Sequence, residues 1–367
     1  MLYKDGWDTS KKRMEAWWNR ELLDRVVLMV SAPRKAPLAL KETLKKPASI
    51  DIEWTDPAYY VYKAEKSFAE TYFGGDFYPN LSPYLGPGQM AGYMGSKITY
   101  AEDTVWYHEF LENWDNYKPF TFNTNQPHYL LTKKILDLSL KGNDSKWITG
   151  MADLGGALDL LSAARGTGNL LLDLVDSPEL VLKAERNIQD LWFAYFNDIK
   201  GIMQKNMKGF STTFNLWCKD DYYPIQCDFS AMISPAMYEE FVLSFIEEQT
   251  VKLTKSLYHL DGPEAIPHLD MILSLKKLSA VQWVPGAGKP TADDPVWYPM
   301  YKKIQGAGKS LDLWDCSKKN IEKVIDELDP RGLLIHLAPD QFKTEDEAKE
   351  MERMVGIWSE RRIKKLG

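Results

Sequence analysis

Short apolar runs alternate with helical segments along most of this chain, and that alternation restricts the fold more than any other feature. Residues 10–23 carry apolar side chains at helical spacing, and Arg25-Val-Val-Leu-Met-Val30 follows as a β-branched, apolar run. Strand-like runs recur over residues 146–150, 210–216, 256–259, 280–283, 310–314 and 332–336. Helical stretches lie between them, over 156–174, 178–205, 234–255, 265–275, 295–305 and 318–328. Ser234-Pro235 supplies an N-cap and a first-position proline, and Thr344 with Glu347 forms a capping box for the last helix. Strands that alternate with helices pair in parallel through right-handed crossovers. The expected fold is therefore α/β, a single (β/α)8 TIM barrel over residues 1–367 with an N-terminal extension. Residues 47–126, rich in Tyr, Pro and Gly, break the rhythm and are expected to form an aromatic-rich insertion or lid. The alternative, a doubly wound sheet, lacks its glycine fingerprint, because Val30 runs into Ser31-Ala-Pro-Arg34.

The charge balance, 45 Lys+Arg against 52 Asp+Glu for a net −7, gives no basic stripe and argues against nucleic acid or an anionic membrane as partner. No stretch approaches the roughly 18 uncharged apolar residues of a membrane span, and the N-terminal residues show no apolar signal core. The expected location is cytoplasmic. Cys218, Cys227 and Cys316 form no C-x-x-C pair, which suits a reducing compartment. Thirteen Trp and 19 Tyr favour a small-molecule pocket with an apolar yet hydrogen-bonding wall.

Two glycine-lysine runs imitate phosphate loops. Gly286-Ala-Gly-Lys289 and Gly306-Ala-Gly-Lys309 both lack the glycine five residues before the Gly-Lys pair, where Trp283 and Lys303 stand. They read as turns. In a barrel, chemistry sits at the C-terminal ends of the strands, and those positions are polar here: Asp153 and Asp159; Trp217, Tyr222, Tyr223, Gln226 and Asp228; Gln282 and Trp283; Asp315 and Cys316; His336. His259-Leu260-Asp261 is the sharpest signal, since residues two apart on a strand share a face. The pair is expected to hold a divalent metal or to act as acid and base, with a buried structural histidine as the bland alternative. Asp228, Asp153 and Asp76 each follow an apolar run and are candidates for proton transfer or substrate binding, or for loop bracing. Arg165 and Arg34 are candidates to bind a substrate carboxylate.

The runs Gly75-Asp-Phe-Tyr-Pro-Asn80, Leu85-Gly-Pro-Gly88, Asp153-Leu-Gly-Gly-Ala-Leu-Asp159, Arg165-Gly166, Asp176-Ser-Pro-Glu179, Ile233-Ser-Pro-Ala-Met-Tyr-Glu-Glu240 and Tyr258-His-Leu-Asp-Gly262 with Val281-Gln-Trp283 together resemble the uroporphyrinogen decarboxylase superfamily. That superfamily includes zinc-dependent methylcobalamin:coenzyme M methyltransferases of methanol and methylamine metabolism. The resemblance covers the chain from Arg25 onward and implies a (β/α)8 barrel. Haem-pathway decarboxylases carry Arg-Gln-Ala-Gly-Arg after the first strand, and this chain has Ser31-Ala-Pro-Arg-Lys35, so that reaction is not expected. The methyltransferase branch binds zinc through His-x-Cys on the fifth strand and a later Cys. Here His259-Leu-Asp261 keeps the His and replaces the Cys, and Leu337-Ala-Pro-Asp-Gln341 offers none. What the resemblance leaves is a mixed site for zinc or another divalent ion, built on His259 and Asp261 with Asp315, Cys316 or His336 as further candidates. Corrinoid carriers use D-x-H-x-x-G, absent here, so methylcobalamin is expected on a partner protein.

The leading expectation is a corrinoid-linked small-molecule methyltransferase, catalytic through His259, Asp261, Asp228 and Tyr223. Asp76, Asp153, Arg165, Gln282, Trp283 and Trp217 are expected to bind substrate. A corrinoid carrier protein and a second copy of the chain, as a homodimer, are the candidate partners. The alternatives are a metal-free decarboxylase or lyase of a small carboxylate, held by Arg165 or Arg34, and a non-catalytic ligand-binding barrel.

Overall fold

The computed structural model describes residues 1–143, 145–205 and 207–366. It is a mixed α/β chain built on a parallel sheet. Its strands, among the described residues, are β1 (Val27–Pro33), β2 (Thr71–Gly75), β3 (Asn80–Leu81), β4 (Ile98–Tyr100), β5 (Val105–Tyr107), β6 (Ile148–Thr149), β7 (Tyr222–Gln226), β8 (Lys255–Asp261), β9 (Ala280–Val284), β10 (Ser310–Cys316) and β11 (Leu333–Leu337). The main sheet has the order β2-β1-β11-β10-β9-β8-β7. Every neighbour in it is parallel except β2, which lies antiparallel on β1. A separate parallel pair joins β3 to β6, and β4 and β5 form an antiparallel ribbon.

The strand runs that are continuous in Val, Leu and Ile are buried on both faces, as a parallel sheet under helices requires. Outside them, helix Pro178–Gln204 lays Trp192 and Phe196 against Tyr223 of β7, with ring centroids 4.9 and 6.0 Å away. A fully buried Trp such as Trp192 is worth about 3–5 kcal/mol against Ala. Helix starts follow their caps: Asp56 accepts from Ala58 N and Tyr59 N ahead of Pro57, and Ser234 accepts from Met237 N ahead of Pro235.

Several expected elements differ. The run 210–216 is no strand: Phe210 and Cys218 form one antiparallel bridge, and Asn215 turns the chain with φ 51°. The strand at this place is Tyr222–Gln226, disguised in the sequence by Pro224. The helical stretch 156–174 is two helices, Ala157–Arg165 and Thr167–Asp176, broken at Gly166, whose φ of 88° ends the first. Residues 47–126 include β2, which pairs with β1 in the main sheet, and β3, which pairs with β6. The first helix is Trp7–Trp18, and it lies across the amino-terminal ends of the strands. Trp17 Nε1 donates to Leu311 O at 3.2 Å, Ser310 Oγ to Trp17 O at 2.7 Å and Lys255 Nζ to Trp18 O at 3.4 Å.

Candidate metal centre

Register places Gln226, His259, Gln282 and Asp312 side by side on β7, β8, β9 and β10. Side chains alternate along a strand, so these four share one face, and Asp261 joins them two residues beyond His259. Just past β7 the chain brings in Asp228. One ligand atom from each of Asp228, His259 and Asp261 lies within 4.8 Å of the others. His259 and Asp261 are half-buried, whereas Asp228 is open to solvent.

His259 is held from behind. Its Nδ1 pairs with Gln282 Oε1 at 2.5 Å, and Gln282 is fully buried. With an amide oxygen as partner, Nδ1 is the donor, which leaves the Nε2 lone pair free; this is how metal-binding histidines are oriented. The Phe214 ring stands edge-on to the imidazole at 5.3 Å and 87°.

The carboxylates are held as closely. Asp159, in the first turn of helix Ala157–Arg165, accepts from the backbone N–H groups of Asp228 at 3.1 Å and Phe229 at 2.8 Å, and so fixes the turn that presents Asp228. Gly156 permits this approach, since a Cβ there would stand 2.3 Å from Gln226 O. Desolvation by the surrounding protein, with repulsion from Asp261 and Asp153, pushes the Asp228 carboxyl up to about 7. Gln226 Nε2, 3.1 Å from Asp228 Oδ2, works against the shift. Burial raises Asp159 to about 7, with Asp228 adding to it, and raises Asp153 to about 6 against the hydrogen bond from Gly155 N. Such acids crowd together stably when they are protonated or share a cation.

Other sequence candidates lie elsewhere. Asp76 is fully buried beside the start of β1, with its oxygens taken by Arg13 at 3.1 Å, Arg25 at 2.7 Å and Leu28 N at 3.1 Å, so it braces the fold. Arg165 pairs with Asp173 at 2.7 Å and donates to Glu112 O, and Arg34 donates to Thr71 O and Tyr3 O. Trp283 and Tyr223 point to the opposite strand face from Gln282 and Gln226: Trp283 packs on Trp297, and the Tyr223 hydroxyl accepts from Leu154 N, bracing the loop that bears Asp153. Trp217 sits by Trp7, at the far end of the sheet. Asp315, Cys316 and His336 do not join the three-donor group. Asp315 is exposed at φ 58°, the Cys316 thiol is buried and pushed well up by desolvation, and His336 Nε2 stands 3.1 Å from Asp312 Oδ1.

Asp312 was not among the expected site residues, although a lone Asp between Leu311 and Leu313 in a buried strand is a signal in itself. Nor was His268, which stacks on Tyr238 at 4.4 Å with Nε2 on Ser230 O and belongs to no motif.

No family model matches the chain, and no curated protein matches it. Among solved structures it is similar to a methyltransferase from Methanosarcina mazei, with a TM-score of 0.59 at 12% identity over 95% of this chain and 98% of that one. The likeness is one of fold along the whole length. No helix of the described residues is long and apolar enough to cross a membrane.

Proposed function

We propose that the chain is a methyltransferase-type enzyme on a closed (β/α)8 barrel, with its reaction centre at Asp228, His259 and Asp261. Closure is supported by backbone bonds that continue from β1 as far as Ser211, in the segment before β7: Asp76 N to Leu28 O, Ile148 N to Pro79 O, Gly150 N to Leu81 O and Met151 N to Ser211 O. The observation that carries the function is the three-donor group, with Gln282 on the far nitrogen of His259. One imidazole and two carboxylates suit zinc or a harder divalent ion, and no thiol belongs to the set. A divalent ion there would act as a Lewis acid toward the methyl acceptor.

The protein's own residues do the rest. Gln282 orients His259, Asp159 fixes Asp228, and Asp153, with a carboxyl near 6, is largely ionised at neutral pH and so able to accept a proton from a reacting group. The methyl group is supplied as methylcobalamin on a carrier protein, in keeping with the superfamily that the sequence resembles. The engagement of Arg34 and Arg165 leaves a carboxylate-binding lyase without its anchor.

The test is elemental analysis of purified wild type and His259→Ala, followed by methyl transfer from methylcobalamin to thiol and amine acceptors. Near-stoichiometric divalent metal in the wild type, lost in the variant, supports the reading. Metal-free wild type overturns it.

A further inference from the structure

The face that carries His259 continues across β10 and β11 into a second polar group. Asp312 is completely buried, and its Oδ1 accepts no hydrogen bond. Its Oδ2 accepts from Trp314 Nε1 at 3.2 Å. His336 Nε2 lies 3.1 Å from Oδ1, off the line of a hydrogen bond, and has no other partner. Gln282, between Asp312 and His259 in register, leaves its buried Nε2 unpaired as well. A buried carboxylate oxygen without a donor is unfavourable by several kcal/mol unless a partner arrives.

An aromatic wall links the two groups. Phe214 lies 5.3 Å from His259 and 5.4 Å from Trp314, and Trp314 lies 4.8 Å from His336. Phe214 and Trp314 are both only half-buried, so the rings retain accessible surface. Among the described residues no Lys or Arg pairs with Asp153, Asp228, Asp261 or Asp312, and the arginines Arg13, Arg25 and Arg165 are tied to Asp24, Asp76 and Asp173. A divalent ion would offset two of these four acids. The remaining field repels a carboxylate or sulfonate and draws in a cation.

We propose that the cleft beside His259 takes an organic ammonium group, with Asp312 as its counter-ion and the Phe214 and Trp314 rings as its wall. Ammonium N–H would meet the unpaired, buried Asp312 oxygen, and the aromatic rings favour a desolvated cation over a neutral group of the same size. The inference rests on the reading of this cleft as the reaction site, and it names the charge class of the substrate.

Calorimetric titration of the full-length protein with butylammonium, 1-butanol and butyrate tests it. Butylammonium is expected to bind at least tenfold more tightly than 1-butanol, and butyrate not measurably. Asp312→Asn should weaken butylammonium at least tenfold with metal content unchanged, and Trp314→Leu, which keeps the carboxylate, should weaken it severalfold. Equal affinity for butyrate, or no loss in either folded variant, overturns the inference. Metal without ammonium binding sinks this proposal and leaves the metal centre standing, whereas ammonium binding to metal-free wild type does the reverse.

Discussion

The imidazole Nδ1 of His259 and the amide Oε1 of Gln282 meet at 2.5 Å across neighbouring strands, in a pair held by the β8/β9 register. A buried amide in that position sets the tautomer and the ring plane of the histidine before any ligand arrives. Gln282→Leu is therefore expected to fold normally and to weaken divalent-metal affinity by about 10- to 100-fold. Chelator-competition titration measures it, and an unchanged affinity would refute the orienting role.

Asp153 and Asp228 are raised to about 6 and about 7, above the usual carboxylate value near 3.9. Between these limits the folded state binds more protons than the unfolded one, so the slope of stability with pH is negative. Their contribution is greatest below pH 4 and is lost as pH rises through 6 to 7. Metal-free Asp153→Asn should thus gain melting temperature over wild type at pH 8 and not at pH 4.5, by thermal unfolding across that range. Saturating divalent metal should shrink the difference at pH 8.

Asp76 offers a control at the other end of the sheet. Removing its carboxylate by Asp76→Ala leaves Arg13 on Asp24 but strands the buried Arg25, and breaking a buried pair in this way costs about 3–5 kcal/mol. Urea unfolding should show that loss while the folded fraction keeps its full metal content. Selective loss of metal at unchanged stability would return Asp76 to the site.

Gly156→Ala is expected to be costly out of proportion to one methyl group. The new Cβ would stand 2.3 Å from Gln226 O, and the strain separates Asp159 from the turn that it fixes. A loss of about 1–3 kcal/mol with weakened metal binding follows. Chemical denaturation and metal titration of the same sample check both halves.

Much of this was legible in the sequence for physical reasons. β1 and β11 are largely continuous apolar runs, and β8, β9 and β10 keep apolar residues around single polar ones, a pattern that a doubly covered parallel strand allows. His259 and Asp261 were readable because a two-residue spacing fixes a shared face. That rule also shows that Gln282 and Trp283, being adjacent, cannot line one cleft together. Asp228 was visible as an acid after an apolar run, but its convergence with the pair depends on Asp159, and a contact 69 residues away leaves no local trace. Tyr222–Gln226 was hidden by its proline, and the run at 210–216 was apolar for a different reason, since Phe210 and Leu216 fill the core from a loop.

The helix Trp7–Trp18 closes with a bond from Trp17 to Leu311, 294 residues downstream, and another from Ser310 back to Trp17, 293 residues apart. During synthesis this helix leaves the ribosome long before β10, and its seat does not exist until β10 has been made. Its tryptophans must wait, exposed or loosely covered, through most of translation, and closing so long a loop is slow. A segment made well before its seat is thus among the last to dock, and a chaperone that attends this protein meets those rings before β10 exists.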